Sequence, residues 1–260
     1  MTLPRLYPII DFSRFVAQAD PVAAVVRYAE ELIGAGATLI QLRDKSQPGS
    51  KNPGSKNPGS ENNVARRFLS CLRELRRATL DHATLIVNDR VDLCLAAGAD
   101  GVHLGQDDLS PAAARRIFDS VESHPIAQSL GRSQLLRERM GHPPVSSEIS
   151  GERVGNKKLL IGFSTHNLDQ VREADALPVD YIAIGPVFAT GSKADPGPVV
   201  GLEGVRRARQ ATTKPLVAIG GITRLNCSQV KDSGADAVAV ISDLFESPAK
   251  AVADFLRVLR

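Results

Sequence analysis

Residues 84–105, TLIVNDRVDLCLAAGADGVHLG, decide how the rest of the chain is read. Positions 84–89 form a short apolar run, 90–97 carry helical spacing, and 101–105 form a second short run. Strand, helix and strand joined this closely imply parallel pairing through a right-handed crossover. Runs of the same kind recur at 6–11, 38–44, 159–164, 181–187, 216–221 and 237–242. Several are apolar throughout, as strands buried on both faces are. Amphipathic segments lie between them. Val22, Val25, Val26, Ala29 and Ile33 share one helical face behind Pro21, which suits a first turn. Val64, Phe68, Cys71, Leu72 and Leu75 share another, with Arg66, Arg67, Arg73, Arg76 and Arg77 turned away. That arginine run reads as a solvated face in preference to a site for an acidic partner. Eight strand–helix units predict an α/β fold, a single (β/α)8 TIM barrel over residues 1–260. The competing arrangement is an open doubly wound sheet. Against it, no Gly-x-Gly-x-x-Gly follows the first strand.

Composition narrows the function. At 43% hydrophobic and 23% charged over 260 residues, the chain has the make-up of a soluble globular protein. A net charge of +3, no Trp and 4% aromatics give neither a basic footprint nor a base-stacking surface, so nucleic acid is not an expected partner. No apolar run approaches the ~18 residues a membrane span needs. The N-terminal residues show no secretory pattern. Three cysteines, Cys71, Cys94 and Cys227, are too few and too scattered for a disulfide framework or a zinc site. A reduced, cytoplasmic protein is expected.

Two insertions interrupt the rhythm. Residues 46–62 hold a tandem PGSKN, PGSKN, PGSEN repeat starting at Pro48. Such a composition cannot bury a core and predicts a flexible loop. It follows the second strand, at the rim where barrel active sites lie, so it is either a mobile lid or a tolerated expansion. Residues 119–158 separate the fourth helix from the fifth strand and should hang from the opposite rim, away from catalysis. A short helix is expected at 129–140.

The chemistry collects at strand ends. Gln41, Arg43 and Lys45 alternate along the second strand and lie on one side of it, with Leu39 beneath them. Two cations and an amide suit an anion with several oxygens, such as a diphosphate. A salt-bridge layer inside the barrel is the other explanation. Asn88 and Asp89 end the third strand, and Gly105-Gln106-Asp107-Asp108 follow the fourth. Asp89 and Asp108 should converge, and two carboxylates beside a phosphate line suggest Mg²⁺ completed by phosphate oxygens and water. The plainer alternative is that Asp89, Asp107 and Asp108 cap the helices that follow. His103 reads as a satisfied core histidine. His166, after Ser164 and Thr165, is either an acid–base group or a hydrogen-bonded strand cap. Thr190, Ser192 and Lys193 follow the sixth strand. Gly220, Gly221, Ile241 and Ser242 end the seventh and eighth, the usual phosphate site of such barrels. Two phosphate sites at one mouth imply two phosphorylated reactants.

Taken in order, QLRDK (41–45), NDR (88–90), GVHLGQDD (101–108), STH (164–166), GPVF (185–188), TGSK (190–193) and AIGGI (218–222) closely resemble the motifs of the thiamine-phosphate synthase family. The resemblance runs from the second strand to the eighth, outside the insertions. It implies a (β/α)8 enzyme that joins a hydroxymethylpyrimidine diphosphate to a thiazole phosphate with Mg²⁺, releasing diphosphate. It implies that Gln41, Arg43, Lys45, Asn88, Ser164 and Lys193 hold the pyrimidine diphosphate, and that Arg43, Lys45 and Lys193 neutralise the leaving group. By the same resemblance Asp89 and Asp108 bind Mg²⁺, and Thr190, Ser192, Gly221, Ile241 and Ser242 line the thiazole-phosphate site. Ser192 stands where the family often has Thr and keeps the hydroxyl. A related thiazole tautomerase would use His166 and need no magnesium pair, so the coexistence of Asp89, Asp108 and the cationic strand favours the synthase. A non-catalytic sensor of thiamine intermediates is the remaining alternative. The expected partners are two phosphorylated small molecules; self-association into a homo-oligomer is compatible with this reading.

Overall fold

Short apolar runs can satisfy their backbone groups only by lateral pairing. In the computed structural model, which describes residues 2–44, 58–123, 158–191 and 197–260, all eight expected runs pair in this way. The elements are β1 Leu6–Asp11, α1 Pro21–Gly34, β2 Leu39–Arg43, α2 Pro58–Thr79, β3 Thr84–Asn88, α3 Val91–Ala97, β4 Gly101–Leu104 and α4 Pro111–Glu122. They continue with β5 Leu160–Thr165, α5 Leu168–Asp175, β6 Tyr181–Ile184, α6 Gly201–Ala211, β7 Leu216–Ile219, α7 Cys227–Asp232, β8 Ala237–Val240 and α8 Pro248–Val258. Each strand pairs in parallel with its chain neighbours, and Tyr7 opposite Ala239 closes the ring between β1 and β8. The closed barrel replaces the open-sheet alternative. Among the described residues no helix is long and apolar enough to cross a membrane.

Several expected strands overshoot at their C-terminal ends. β6 stops at Ile184 instead of 187, β7 at Ile219 instead of 221, and β8 at Val240 instead of 242. Beyond β6, Val187 and Phe188 still donate backbone N–H groups to the Ile219 and Gly220 carbonyls, but outside the regular strand register. The repeat segment also needs correction, because α2 begins at Pro58 and takes the last five residues of 46–62 into a helix. Positions 119–122 likewise belong to α4. Residues 46–57 and 124–157, including the helix expected at 129–140, lie outside the described residues.

Alternation divides the core into two layers. Tyr7, Ile9, Leu39, Ile86, Leu160, Tyr181, Val217, Ala237 and Ala239 fill the barrel interior. The opposite faces, such as Ile10, Ile40, Val87, Val102 and Val238, pack against the helices. Of the α2 arginines, Arg66, Arg67, Arg73 and Arg77 are exposed as expected. Arg76 is not on the solvated face: it is buried and pairs with Asp100 at 2.8 Å.

That pair belongs to a device used three times at the N-terminal rim. Asp100, Asp180 and Asp236 each stand just before an even-numbered strand. Each donates its backbone N–H to one carbonyl of the preceding strand, at Leu85, Ile161 and Leu216 respectively. Each carboxylate then accepts the N–H of that same residue at 2.8 Å. A helix arginine closes every clamp: Arg76 on Asp100, Arg115 on Asp180 and Arg209 on Asp236. The N-terminal rim of a barrel is the end that carries stability, which leaves the other end to chemistry.

Candidate active site

The period of two that sends Leu39 into the barrel also sends Gln41 and Arg43 inward, one above the other toward the C-terminal mouth. Neighbouring strands present Asp11, Asn88, His103 and Ser164 at comparable height. His103 lies opposite Asn88 on one side and Gly162 on the other, and Gly162 lies opposite Tyr181. A Cβ at Gly162 would stand 2.0 Å from the Tyr181 ring, so only glycine leaves that ring room inside the barrel.

Above the apolar plug these side chains form one connected row. The Tyr7 hydroxyl donates to Gln41 Oε1 at 2.9 Å, and Gln41 Nε2 donates to Asn88 Oδ1 at 2.6 Å. The Tyr7 and Tyr181 hydroxyls are 2.7 Å apart. His103 Nδ1 lies 3.1 Å from the Tyr181 hydroxyl, and its Nε2 lies 2.8 Å from Ser164 Oγ. Gln106 Nε2 donates to the Ser164 carbonyl at 2.6 Å and fixes that strand end. Burial pushes both tyrosine hydroxyls up, so they stay protonated. Burial likewise lowers the His103 imidazole to about 4, against an opposing pull from Asp108. His103 is the satisfied core histidine the sequence suggests. Tyr7 and Tyr181 were not singled out from sequence, although Tyr7, Ile9 and Asp11 share one face of β1 by simple alternation.

Arg43 meets Asp11 through Nε at 3.1 Å and Nη2 at 2.8 Å, both on Oδ2. Burial alone would raise the Asp11 carboxyl. The Arg43 charge and hydrogen bonds from Ser13 outweigh it and hold the group below its ordinary range. The salt-bridge layer and the anion line are therefore compatible: Arg43 is oriented by a buried partner and still stands at the mouth. Asp11 is a site residue that sequence reasoning missed.

The capping explanation for the carboxylates is corrected by the helix starts. Arg90, not Asp89, is the N-cap of α3, and no side chain caps it. Ser110, not Asp107 or Asp108, caps α4 by accepting the Ala113 N–H. Asp89 adopts a left-handed backbone, φ 62°, a conformation that non-glycine residues keep mainly where the surroundings over-determine it. The Asp108 carboxylate is held over the end of β4 by the Gly105 N–H at 2.7 Å. Asp89 and Asp108 thus follow adjacent strands at one rim, and neither is the N-cap residue of the helix that follows. Among the described residues no group of three or more His, Cys, Asp or Glu side chains forms a metal set. Two carboxylates suit Mg²⁺, which takes one or two from protein and the rest from phosphate and water.

His166 is placed as a strand cap: its Nδ1 lies 2.8 Å from the Gly185 carbonyl and its backbone N–H donates to Gln170. Thr190 lies half-buried beyond β6. Gly220 and Gly221 have φ of 101° and 64°, and a Cβ at either would meet the 186–189 backbone or Phe188 at 2.6–2.7 Å. Close approach between the β6 and β7 ends thus requires these glycines. Ile241 packs against the barrel interior, and Ser242 accepts from Arg14 Nη2 at 3.1 Å. Arg14, just past β1, is a further cation at this rim that sequence reasoning missed. Lys45, Ser192 and Lys193 lie outside the described residues.

A family model described as thiamine monophosphate synthase matches residues 6–131 and 149–244. The chain is 42% identical over 259 residues to the thiamine-phosphate synthase of Koribacter versatilis, covering 100% of this chain and 97% of that protein. It is 35% identical over 241 residues to the thiamine-phosphate synthase of Albidiferax ferrireducens, covering 92% and 84%. Among solved structures, the thiamine phosphate pyrophosphorylase from Pyrococcus furiosus matches with a TM-score of 0.68 at 27% identity, covering 98% of this chain and 95% of that one.

Proposed function

The chain belongs to the thiamine monophosphate synthase family, and we propose that its barrel mouth joins 4-amino-2-methyl-5-(diphosphooxymethyl)pyrimidine to 4-methyl-5-(2-phosphooxyethyl)thiazole. The products are thiamine phosphate and diphosphate. In this reaction the C–O bond to diphosphate breaks and its electron pair leaves with the diphosphate. The thiazole nitrogen supplies its lone pair to the same carbon. No proton need be abstracted, so the protein's task is to neutralise the leaving group and align two reactants.

The observation that carries this reading is the placement of Arg43, Asn88, Asp89, Asp108 and Ser164 around one mouth above a closed apolar plug. Arg43, oriented by Asp11, would meet the diphosphate with a guanidinium already in place, which lowers the reorganisation needed during reaction. Lys45 and Lys193 are assigned to the same anion by the family resemblance of the QLRDK and TGSK motifs that hold them. Gln41, Asn88 and Ser164 would hold the pyrimidine portion. Asp89 and Asp108 would hold Mg²⁺, since both offer hard carboxylate oxygens at one rim. When bound, the ion supplies Lewis-acid neutralisation of charge growing on the leaving oxygens. Thr190, Ser192, Gly221, Ile241 and Ser242 would receive the thiazole phosphate. The buried, free cysteines agree with a cytoplasmic, reduced setting.

Incubating the chain with both phosphorylated precursors, with and without Mg²⁺, tests the proposal. Thiamine phosphate and diphosphate should form in equal amounts, and only when the ion and both precursors are present. Isomerisation of the thiazole alone, with no coupling, would replace the synthase by the tautomerase. Binding without turnover would leave a sensor.

A further inference from the structure

Hydroxyl and imidazole hydrogens in the row across the mouth are not independent, because one end of the row is an atom that can only accept. Gln41 Oε1 accepts from Tyr7, which commits the Tyr7 hydrogen to Gln41. The 2.7 Å contact between the tyrosines then requires Tyr181 to donate to the Tyr7 oxygen. With its hydrogen spent, Tyr181 can only accept from His103, so the imidazole proton sits on Nδ1. With the single proton of this buried ring committed to Nδ1, Nε2 is the acceptor and turns the Ser164 hydroxyl hydrogen inward toward it. At the far end Gln41 donates to Asn88 Oδ1, leaving the Asn88 amide N–H as what that side chain offers outward.

We propose that this one-way relay makes Ser164 an obligate acceptor toward the substrate, so that the site selects a pyrimidine carrying an exocyclic amino group and rejects its 4-oxo counterpart. The proposal rests on the reading that Ser164 faces the pyrimidine of the coupling reaction. An amino N–H meets a lone pair at Ser164; a carbonyl oxygen in the same place meets another lone pair. At the opposite end Asn88 offers an amide N–H donor. Tyr7, Tyr181 and His103 are positioning residues: they set the direction of the Ser164 hydrogen without touching the reacting atoms. A serine alone carries no such bias, because its hydroxyl rotates to suit either partner.

The test compares kcat/KM for the 4-amino pyrimidine diphosphate and its 4-oxo analogue, each with the thiazole phosphate and Mg²⁺. The comparison is made in the parent chain and in Tyr7→Phe and Tyr181→Phe. The parent should prefer the amino compound by roughly a hundredfold or more, since a site built for one hydrogen-bond polarity strongly rejects the other. The Tyr7 hydroxyl lies three hydrogen bonds from Ser164. Its removal lets Tyr181 donate back to His103 Nδ1 and moves the imidazole proton to Nε2. Ser164 is then released as a donor, and the preference should shrink to within about tenfold. Nitrogen NMR of His103 should report protonated Nδ1 in the parent and protonated Nε2 in both variants. A loss of rate shared equally by the two substrates, with the ratio and the tautomer unchanged, would make the tyrosines structural and overturn the relay. Coupling in the parent without discrimination overturns the relay alone. No coupling of the amino substrate in the parent overturns the reaction reading as well.

Discussion

Replacing Asp180 by alanine removes three interactions at one point: the ion pair with Arg115 at 2.5 Å, the acceptor for the Ile161 N–H, and the weaker contact with Lys158. Arg115 is 9% exposed and Asp180 16%, so water cannot readily replace the lost partner. Removing one member of a buried pair costs about 3–5 kcal/mol. Arg115 keeps its bond to the Leu159 carbonyl, which places the expected loss near the middle, about 4 kcal/mol. The Asp236 clamp has the same connectivity with different exposure, Arg209 at 27% and Asp236 at 47%. There water re-solvates both the arginine and the strand end, and Asp236→Ala should cost only about 1–2 kcal/mol. For a chain of this size each kcal/mol lowers Tm by roughly 2–4 °C. Asp180→Ala should therefore lose roughly 8–16 °C and Asp236→Ala roughly 2–8 °C, read by thermal unfolding at pH 7 and low salt. The double change Arg115→Met with Asp180→Leu should recover much of the Asp180→Ala loss, because no orphaned charge remains. Equal losses in the two single variants would refute the argument that burial, not connectivity, sets the value of a clamp.

The His103 imidazole, lowered by burial to about 4 from an ordinary 6.5, is neutral in the folded chain while the unfolded chain takes up a proton below about pH 6.5. Stability should fall by about 3 kcal/mol in all between pH 6.5 and 4, and urea midpoints of His103→Gln should show a flatter slope in that window. Asp89→Asn and Asp108→Asn should fold normally, need more Mg²⁺ and lose roughly a hundredfold or more in rate, with a double mutant far from additive; near-parental activity in both would remove the shared ion. His166→Gln can keep a donor on the Gly185 carbonyl and should stay within about tenfold of parental coupling, whereas an acid–base role would cost at least a hundredfold. Backbone amides of Leu85, Ile161 and Leu216, each bonded to a clamp carboxylate, should exchange with deuterium more slowly than those of Leu160 and Ile182, which bond only to backbone carbonyls across a strand pair.

What could be read from the residues alone follows the range of the forces involved. The eight strands were legible because each is a short, largely apolar run, and the barrel because those runs alternate with helical spacing. Gln41 and Arg43 were legible because alternation along one strand is local. The ends of β6, β7 and β8 were not, since apolar residues such as Val187 and Ile241 continue each run after the regular strand register has stopped. Pro58 as the start of α2 was hidden by a repeat whose composition resembles a linker, although proline suits a first helical turn. The partners of Asp11 and Arg76 lie 32 and 24 residues away, a pairing that only the closed ring reveals. The Tyr7–Tyr181 contact spans 174 residues and depends on the space left by Gly162. A faint signal was present for the clamps: an Asp stands directly ahead of β4, β6 and β8, in ADGV (99–102), VDYI (179–182) and ADAV (235–238).

Those clamps also sort the mouth into separately braced parts. Asp100 ties β3 to β4, and Asp89 and Asp108 hang from the upper ends of that pair. Asp180 ties β5 to β6, which carry Ser164 and Thr190; Asp236 ties β7 to β8, which carry Gly221, Ile241 and Ser242. A carboxylate at the far rim therefore braces the spacing within each group, while His103 and Gln106 tie the first group to the second through Ser164. The β5–β6 part carries a residue proposed for each reactant, Ser164 for one and Thr190 for the other, so the Asp180 clamp at the far rim braces the spacing between the two sites themselves.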